Sequence, residues 1–324
     1  MITTVTLNPA IDRTMTGASL LPGRVNRMET VREYAGGKGV NVTKMLRRLG
    51  EEVTGVGFLG GFTGRFILHY LRELGVLCDY TEVPGATRTT LNLLTADGYV
   101  TEILEPGASV PANCEERFQR SFKRALAGSR AAVLSGSLPA GLPEDYYAGL
   151  IRFGKEQGVR MFLDASGAAL AKGVRAAPFL IKPNTKELEY LMGKPLRRQE
   201  ELAEAIVTLM ERGLPCVVVS RGSRGLMTAV KQPEGYEIIT ASAPEVPVVN
   251  TVGSGDVSVA LLVQELADAP DRPDAVRMER ALRRAAAYAS ANVTTMESGV
   301  VSEETAERLM GDVKTERFPF CGKS

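Results

Sequence analysis

The chain has 324 residues, 44% of them hydrophobic and 24% charged, and 39 Lys and Arg against 38 Asp and Glu leave a formal charge of +1. This is the composition of a globular chain long enough to bury a large core, as one elaborate α/β unit or as two domains. A balance this close to neutral excludes long-range capture of nucleic acid or an anionic membrane, so any bound anion must be held by local groups.

Cys78, Cys114, Cys216 and Cys321 lack CxxC spacing and His69 is the one histidine, which excludes a Cys/His zinc site. The opening MITTVTLNPAIDR has no basic start followed by an apolar stretch, and no run of about 18 apolar residues occurs. The expectation is a reduced, cytoplasmic protein.

In chain order, Thr3 to Leu7 reads as a strand, and helical spacing covers about Val40 to Leu49 and Gly64 to Leu74. Residues Thr14 to Tyr34 and Arg88 to Leu104 alternate polar and apolar with Gly and Pro punctuation, which predicts small antiparallel strands. They are expected to form a β lid (14–34 and 88–104) inserted twice into a core of 1–13, 35–87 and 105–324. From Ala131 the strands AAVLS, VRMFLD, FLIKP and CVVVS alternate with helical stretches at Pro143 to Gln157, Thr185 to Met192 and Glu200 to Arg212. Parallel strands joined by crossover helices follow, because a parallel pair cannot close through a tight turn. The tail from Asp312 to Ser324 is polar and expected to be peripheral.

Gly55, Gly57 and Gly60 spell GxGxxG, with Asp79 at about the separation of a dinucleotide fingerprint. Further glycines at Gly61 and Gly64, and Phe62-Thr63-Gly64 as the apparent helix start, favour a buried strand ending in a Gly-rich turn. Val252-Gly253-Ser254-Gly255-Asp256 carries more, because apolar residues at helical spacing follow it. Backbone N–H groups converging at a glycine turn and helix start hold an anion, and a carboxylate beside them is placed to take a hydroxyl proton. That combination points to phosphoryl transfer.

This VGSGD segment, with Asn250 and Thr251 before it, resembles the C-terminal signature of the PfkB (ribokinase-like) carbohydrate kinases. AGGKGVNVTKMLRRLG, from Ala35 to Gly50, is similar to the family's N-terminal signature. LNPAID, SGSLPAG, LDASG, IKPNTKEL and VVVSRGSRG follow in the family's order, so the likeness covers nearly the whole chain. Within the family, TLNPAIDRT, GGKGVNV and SGSLPAG are most similar to the 1-phosphofructokinase and tagatose-6-phosphate kinase branch, which includes a minor type of 6-phosphofructokinase.

The resemblance implies a three-layer α/β/α ribokinase-like fold with a mostly parallel sheet and a small β lid. It implies Asp256 as catalytic base and the N–H groups of Gly253, Ser254 and Gly255 as an anion hole. Asp12, Gly37, Asn41 and Ser137 would hold the sugar and Arg88 its phosphate. Lys38, a cation in a glycine turn, is expected beside Arg88 on that phosphate, with Arg27 as a further candidate. Lys182, Asn184, Glu187, Ser220, Gly222, Gly225 and Thr251 would bind ATP, with Asn184 and Glu187 placing Mg²⁺ through water and an adenine wall near Ala289 to Gly299. Asn184 and Glu187 also read as a capping box. Asn250 replaces an aspartate that contributes to a monovalent-cation site in many relatives.

The implied reaction is transfer of the ATP γ-phosphoryl group to a hydroxyl of a ketohexose monophosphate. Fructose 1-phosphate is the leading acceptor, with tagatose 6-phosphate and fructose 6-phosphate as alternatives. A silent sugar-phosphate sensor and an NAD-dependent dehydrogenase are the readings from other classes. A lid sheet alone would leave one face wet, so a homodimer through the lid is expected.

Overall fold

The computed structural model describes residues 1–321. The first part of the chain runs β1 (Ile2–Thr6), β2 (Ala10–Gly17), β3 (Thr30–Gly36), α1 (Lys38–Arg48), β4 (Val53–Leu59) and α2 (Gly61–Glu73). Two short strands follow, β5 (Leu77–Cys78) and β6 (Thr81–Glu82), then β7 (Arg88–Thr95), β8 (Val100–Leu104) and α3 (Ala112–Leu126). The crossover series is β9 (Ala131–Ser135), α4 (Tyr146–Glu156), β10 (Arg160–Asp164), α5 (Gly167–Val174), β11 (Leu180–Ile181), α6 (Thr185–Met192), α7 (Gln199–Glu211) and β12 (Cys216–Ser220). The chain closes with β13 (Leu226–Gln232), β14 (Gly235–Ala241), α8 (Ser254–Leu266), α9 (Ala275–Asn292), α10 (Glu303–Met310) and β15 (Thr315–Phe320).

The main sheet has eleven strands in the order β15-β14-β13-β12-β11-β10-β9-β1-β4-β5, with β6 also on β4. It is parallel from β12 to β5 and antiparallel across β13, β14 and β15. Its central parallel strands are short apolar runs because both faces are covered. In β9, Ala131 and Val133 join the core under α1, α2, α8, α9 and α10, while Ala132 and Leu134 join the core under α3 to α7. Helix α8 is buried along nearly its whole length, Asp256 to Val263 without a break, so its apolar residues show little one-sided spacing.

A second, four-stranded sheet has the order β3-β2-β7-β8. The alternating stretches pair there, but β2 and β7 run parallel, so the sheet is mixed and not antiparallel throughout as expected. Strand β2 starts at Ala10, which puts Asp12 on the small sheet opposite Tyr34 and Thr90.

The tail also departs from expectation: Thr315–Phe320 extends the main sheet on β14, with Val313 buried just before it. Alternate charged residues had hidden an edge strand, where one face and one edge stay wet. Residues 322–324 of that tail lie outside the described residues. No helix among the described residues is long and apolar enough to cross a membrane.

The GxGxxG segment is part of the core. Gly55 and Gly57 lie inside β4, where a Cβ on Gly57 would stand 1.9 Å from the Thr6 carbonyl oxygen and one on Gly55 would stand 3.0 Å from the Tyr80 hydroxyl. These glycines let Tyr80 and β1 approach the strand and present no phosphate turn.

Candidate active site at the carboxyl ends of the strands

Most of the proposed site residues gather where α1 and α8 begin, beside the carboxyl ends of β10 and β11, the region where open α/β sheets take ligands. Gly253 precedes α8 at φ 85°, a left-handed conformation suited to glycine. The first-turn N–H groups of the helix have no intrahelical acceptor, so the turn offers donors and a positive dipole end to an anion. Asn292, the last residue of α9, braces this turn: its Nδ2 donates to the Val252 carbonyl at 2.9 Å and to Ser254 Oγ at 3.2 Å, and its Oδ1 accepts from the Gly299 N–H at 2.9 Å. Ser254 Oγ in turn donates to the Thr251 carbonyl. Asn250 takes part as well, accepting from the Val252 N–H and donating to the Met296 carbonyl.

Asp256 lies in the first turn of α8, 6% exposed, and its Oδ2 accepts from Asn41 Nδ2 at 2.8 Å. Burial, and then the neighbouring Asp164 charge, push its pKa up to about 7, against the pull of Lys38, the Asn41 hydrogen bond and Lys182. A carboxylate poised there is matched to proton removal near neutrality. Asn41 therefore does something the sequence did not show, holding Asp256, while its buried Oδ1 has no partner and remains open to a hydroxyl.

The acceptor side is built on the small sheet and the start of α1. Burial raises the Asp12 pKa to about 6, against Lys44, the Gly37 N–H bond and Arg88. Gly36 must lack a side chain because a Cβ would stand 2.1 Å from that carboxylate. Arg88 opens β7 and spends two donors on carbonyls, Nε on Asn8 and Nη1 on Glu105, which leaves others free for an anion. Asn8, unremarked in the sequence although it sits in LNPAID, donates to Ser137 Oγ and to the Pro106 carbonyl, joining the Ser137 loop to Arg88. Arg27 is exposed on the loop after β2 and joins no ion pair among the described residues. His69 is exposed on α2.

Lys38 faces Asp164 and Glu187. Its Nζ stands 3.7 Å from Asp164 Oδ1 and 3.9 Å from Glu187 Oε1, whereas Arg88 is turned to Asn8 and Glu105. The Asp164 charge raises the Lys38 pKa above the usual lysine range, with Asp256 and Glu187 adding to it, so the ammonium stays charged. Lys182 Nζ is 3.8 Å from the same Asp164 oxygen and would lie 3.4 Å from a Cβ on Gly255. Two ammonium groups thus flank Asp164 next to the α8 turn. Asp164 was missed: LDASG was noted as a motif, but one aspartate at a strand end carries no local mark of burial.

Asn184 and Glu187 form a complete capping box at the start of α6, with Glu187 Oε1 left facing Lys38. Both Asp164 oxygens are buried without a hydrogen-bond partner. Hard anionic oxygens without a closed cage fit a magnesium ion that keeps water and phosphate ligands. No cluster of three His, Cys, Asp or Glu among the described residues would hold a metal alone.

A cleft of about 690 Å³ opens beside the turn, lined by Asn184, Ser220, Gly222, Gly225, Thr251 and Ser254. Its apolar walls come from Ala286, Ala289 and Val293 of the segment around α9 and from Ala243, Val246 and Val248. The 243–248 stretch was missed, since APEVPV has no periodicity that marks a base-binding wall. The cleft has room for a nucleotide with its base against apolar side chains and its phosphates toward α8.

A family model described as pfkB family carbohydrate kinase matches residues 5–306. Among solved structures, phosphofructokinase-2 from Escherichia coli in complex with substrates and products superposes with a TM-score of 0.86 at 27% identity, over 96% of this chain and 98% of that one. The tetrameric inhibited form of the same enzyme gives 0.82 at 27% identity with the same coverage. A possible 1-phosphofructokinase from Thermotoga maritima gives 0.83 at 25% identity, over 98% of this chain and 99% of that one.

Proposed function

Since this chain belongs to the pfkB family of carbohydrate kinases, we propose that it transfers the γ-phosphoryl group of ATP to a hydroxyl of a ketohexose monophosphate. The observation that carries the reading is the Asp256 carboxylate, with a pKa near 7, in the first turn of α8 beside a glycine turn and two lysines. Asp256 takes the proton of the attacking hydroxyl, held toward it by Asn41, while the first-turn N–H groups and Lys182 stabilise charge on the moving phosphoryl group. Lys38 is reassigned to the phosphoryl group in transit, and Arg88 alone keeps the acceptor's own phosphate. Asp164 takes the place given to Asn184, whose side-chain oxygen is committed to the Glu187 N–H; Asp164 and Glu187 would hold Mg²⁺ through water, and the ion would supply charge neutralisation of the nucleotide phosphates.

The branch motifs TLNPAIDRT, GGKGVNV and SGSLPAG support fructose 1-phosphate, phosphorylated at carbon 6, as the physiological acceptor. A coupled ADP-release assay with Mg–ATP across fructose 1-phosphate, fructose 6-phosphate, tagatose 6-phosphate, fructose, ribose and adenosine tests this. Highest kcat/KM with fructose 1-phosphate is expected; activity confined to the unphosphorylated compounds defeats the acceptor assignment.

Two further outcomes separate the roles. Arg88→Gln should raise the acceptor KM about ten- to hundredfold with little change in that of ATP, the loss expected for charge-assisted hydrogen bonds. Lys38→Met should instead lower kcat, by about 10²-fold. Equal effects of both variants on acceptor KM would return Lys38 to the acceptor phosphate.

The pH profile follows from the raised carboxyl groups. A base works ionised, so kcat/KM should rise with pH and level off above about 7, as Asp256 loses its proton. Below about 6 the slope should steepen as Asp12 also becomes protonated. A flat profile from pH 5 to 8 in steady-state assays contradicts the assignment of the base.

We also propose that residues 14–34 and 88–104 cover the acceptor as a lid and pair between two copies. Val31, Tyr99, Ile103 and Leu104 leave apolar surface exposed on and beside the small sheet. Light scattering should give twice the chain mass, and Ile103→Lys should give monomers. A monomeric parent chain at assay concentration rules the pairing out.

A further inference from the structure

Lys44, in the second turn of α1, lines no part of the nucleotide cleft and is fully buried, which for an ammonium group costs several kcal/mol unless partners replace water. Its Nζ donates to the Ala35 carbonyl at 2.8 Å and to the Ser298 carbonyl at 2.5 Å, and lies 3.4 Å from Glu297 Oε1. That carboxylate oxygen also accepts from the Tyr70 hydroxyl of α2 at 2.6 Å.

The two carbonyls belong to different halves of the site. Ala35 pairs with Ile11 at the end of β3 and leads into Gly36 and Gly37, whose backbone packs on and bonds to Asp12. Ser298 and Gly299 abut the anion turn: a Cβ on Gly253 would stand 2.8 Å from Ser298 Cβ and 2.9 Å from the Gly299 nitrogen. Gly299 is also held by Asn292, which grips Val252 and Ser254. One ammonium therefore spans the segment that carries the acceptor pocket and the loop that backs the anion turn.

We infer that Lys44 is a positioning residue that couples the two sites, so that acceptor bound at Asp12 and Gly37 tightens the grip of the Gly253 turn on the nucleotide. The inference rests on the kinase reading above. A bound acceptor restricts the Ala35–Gly37 segment, Lys44 passes that restriction to Ser298, and a turn already ordered loses less freedom when phosphate arrives. Coupling of this kind is a free energy that each ligand reports on the other, commonly a factor of about 5–150.

The test is calorimetric titration with Mg²⁺ and a non-hydrolysable ATP analogue, with and without saturating fructose 1-phosphate, on the parent chain, Lys44→Met, Lys44→Arg and Glu297→Gln. In the parent, the sugar phosphate should tighten the analogue at least fivefold. In Lys44→Met the factor should fall to about one, with Lys44→Arg recovering part of it. Hydrogen exchange of residues 295–300 should slow on acceptor binding in the parent and not in Lys44→Met. Glu297→Gln, which keeps both carbonyl contacts, should show a reduced factor and serves if Lys44→Met fails to fold. Independent binding of the two ligands to the parent, or parental coupling in either Lys44→Met or Glu297→Gln, overturns the inference. If no ketohexose phosphate and no nucleotide binds the parent, the functional reading has failed instead.

Discussion

Asp256→Asn is expected to lower kcat by about 10³- to 10⁴-fold while leaving the dissociation constants of both ligands within a fewfold of the parent values. The substitution keeps shape, burial and an oxygen that can accept from Asn41 Nδ2, so the turn of α8 should stay in place. What it removes is the first-turn carboxylate of α8 assigned to receive the hydroxyl proton. The acid limb near pH 7 should vanish with it, because that limb reports the buried carboxyl group. ADP-release kinetics together with binding calorimetry check both statements; turnover near the parental rate would end the assignment of Asp256 as base.

The second large effect is expected at Gly253. Alanine there must adopt φ 85°, which costs an L-residue about 1–2 kcal/mol, and its Cβ would press within 2.9 Å of the Ser298–Gly299 segment. Backbone has to move, and the donors that move are those aimed at the phosphoryl group. A fall in kcat of about 10²- to 10³-fold is the scale for losing one such donor. Gly255→Ala is the contrast, since its Cβ would meet only the end of Lys182, at 3.4 Å. A much smaller loss is expected there. Steady-state kinetics and thermal unfolding of both variants separate misaimed donors from lost stability; equal kcat for Gly253→Ala and Gly255→Ala would show that the turn is not the anion hole.

The glycines illustrate how far motif reading carries. Gly36, Gly57 and Gly253 all sit in Gly-rich motifs, yet each is required for a different reason: room for the Asp12 carboxylate, close passage of β1, and a left-handed turn before a helix. The pattern was visible in every case. Which neighbour makes the glycine necessary was not, because each neighbour is 24 to 51 positions away in the chain, as with Asp12 and Gly36, Thr6 and Gly57, and Ser298 and Gly253.

Local chemistry was enough for the alternation of apolar strands and helices, the helix start at VGSGD, the capping box of Asn184 and Glu187, and the family. Such features depend on residues within a few positions of one another, so spacing alone expresses them. Folding decided that Lys38 meets Asp164, that Asn41 holds Asp256, that Asn8 steadies Arg88, and that Lys44 lies between the two halves of the site. Those pairings join distant parts of the chain, and their electrostatic weight comes from burial, which exists only once the sheet and its two helical layers have closed.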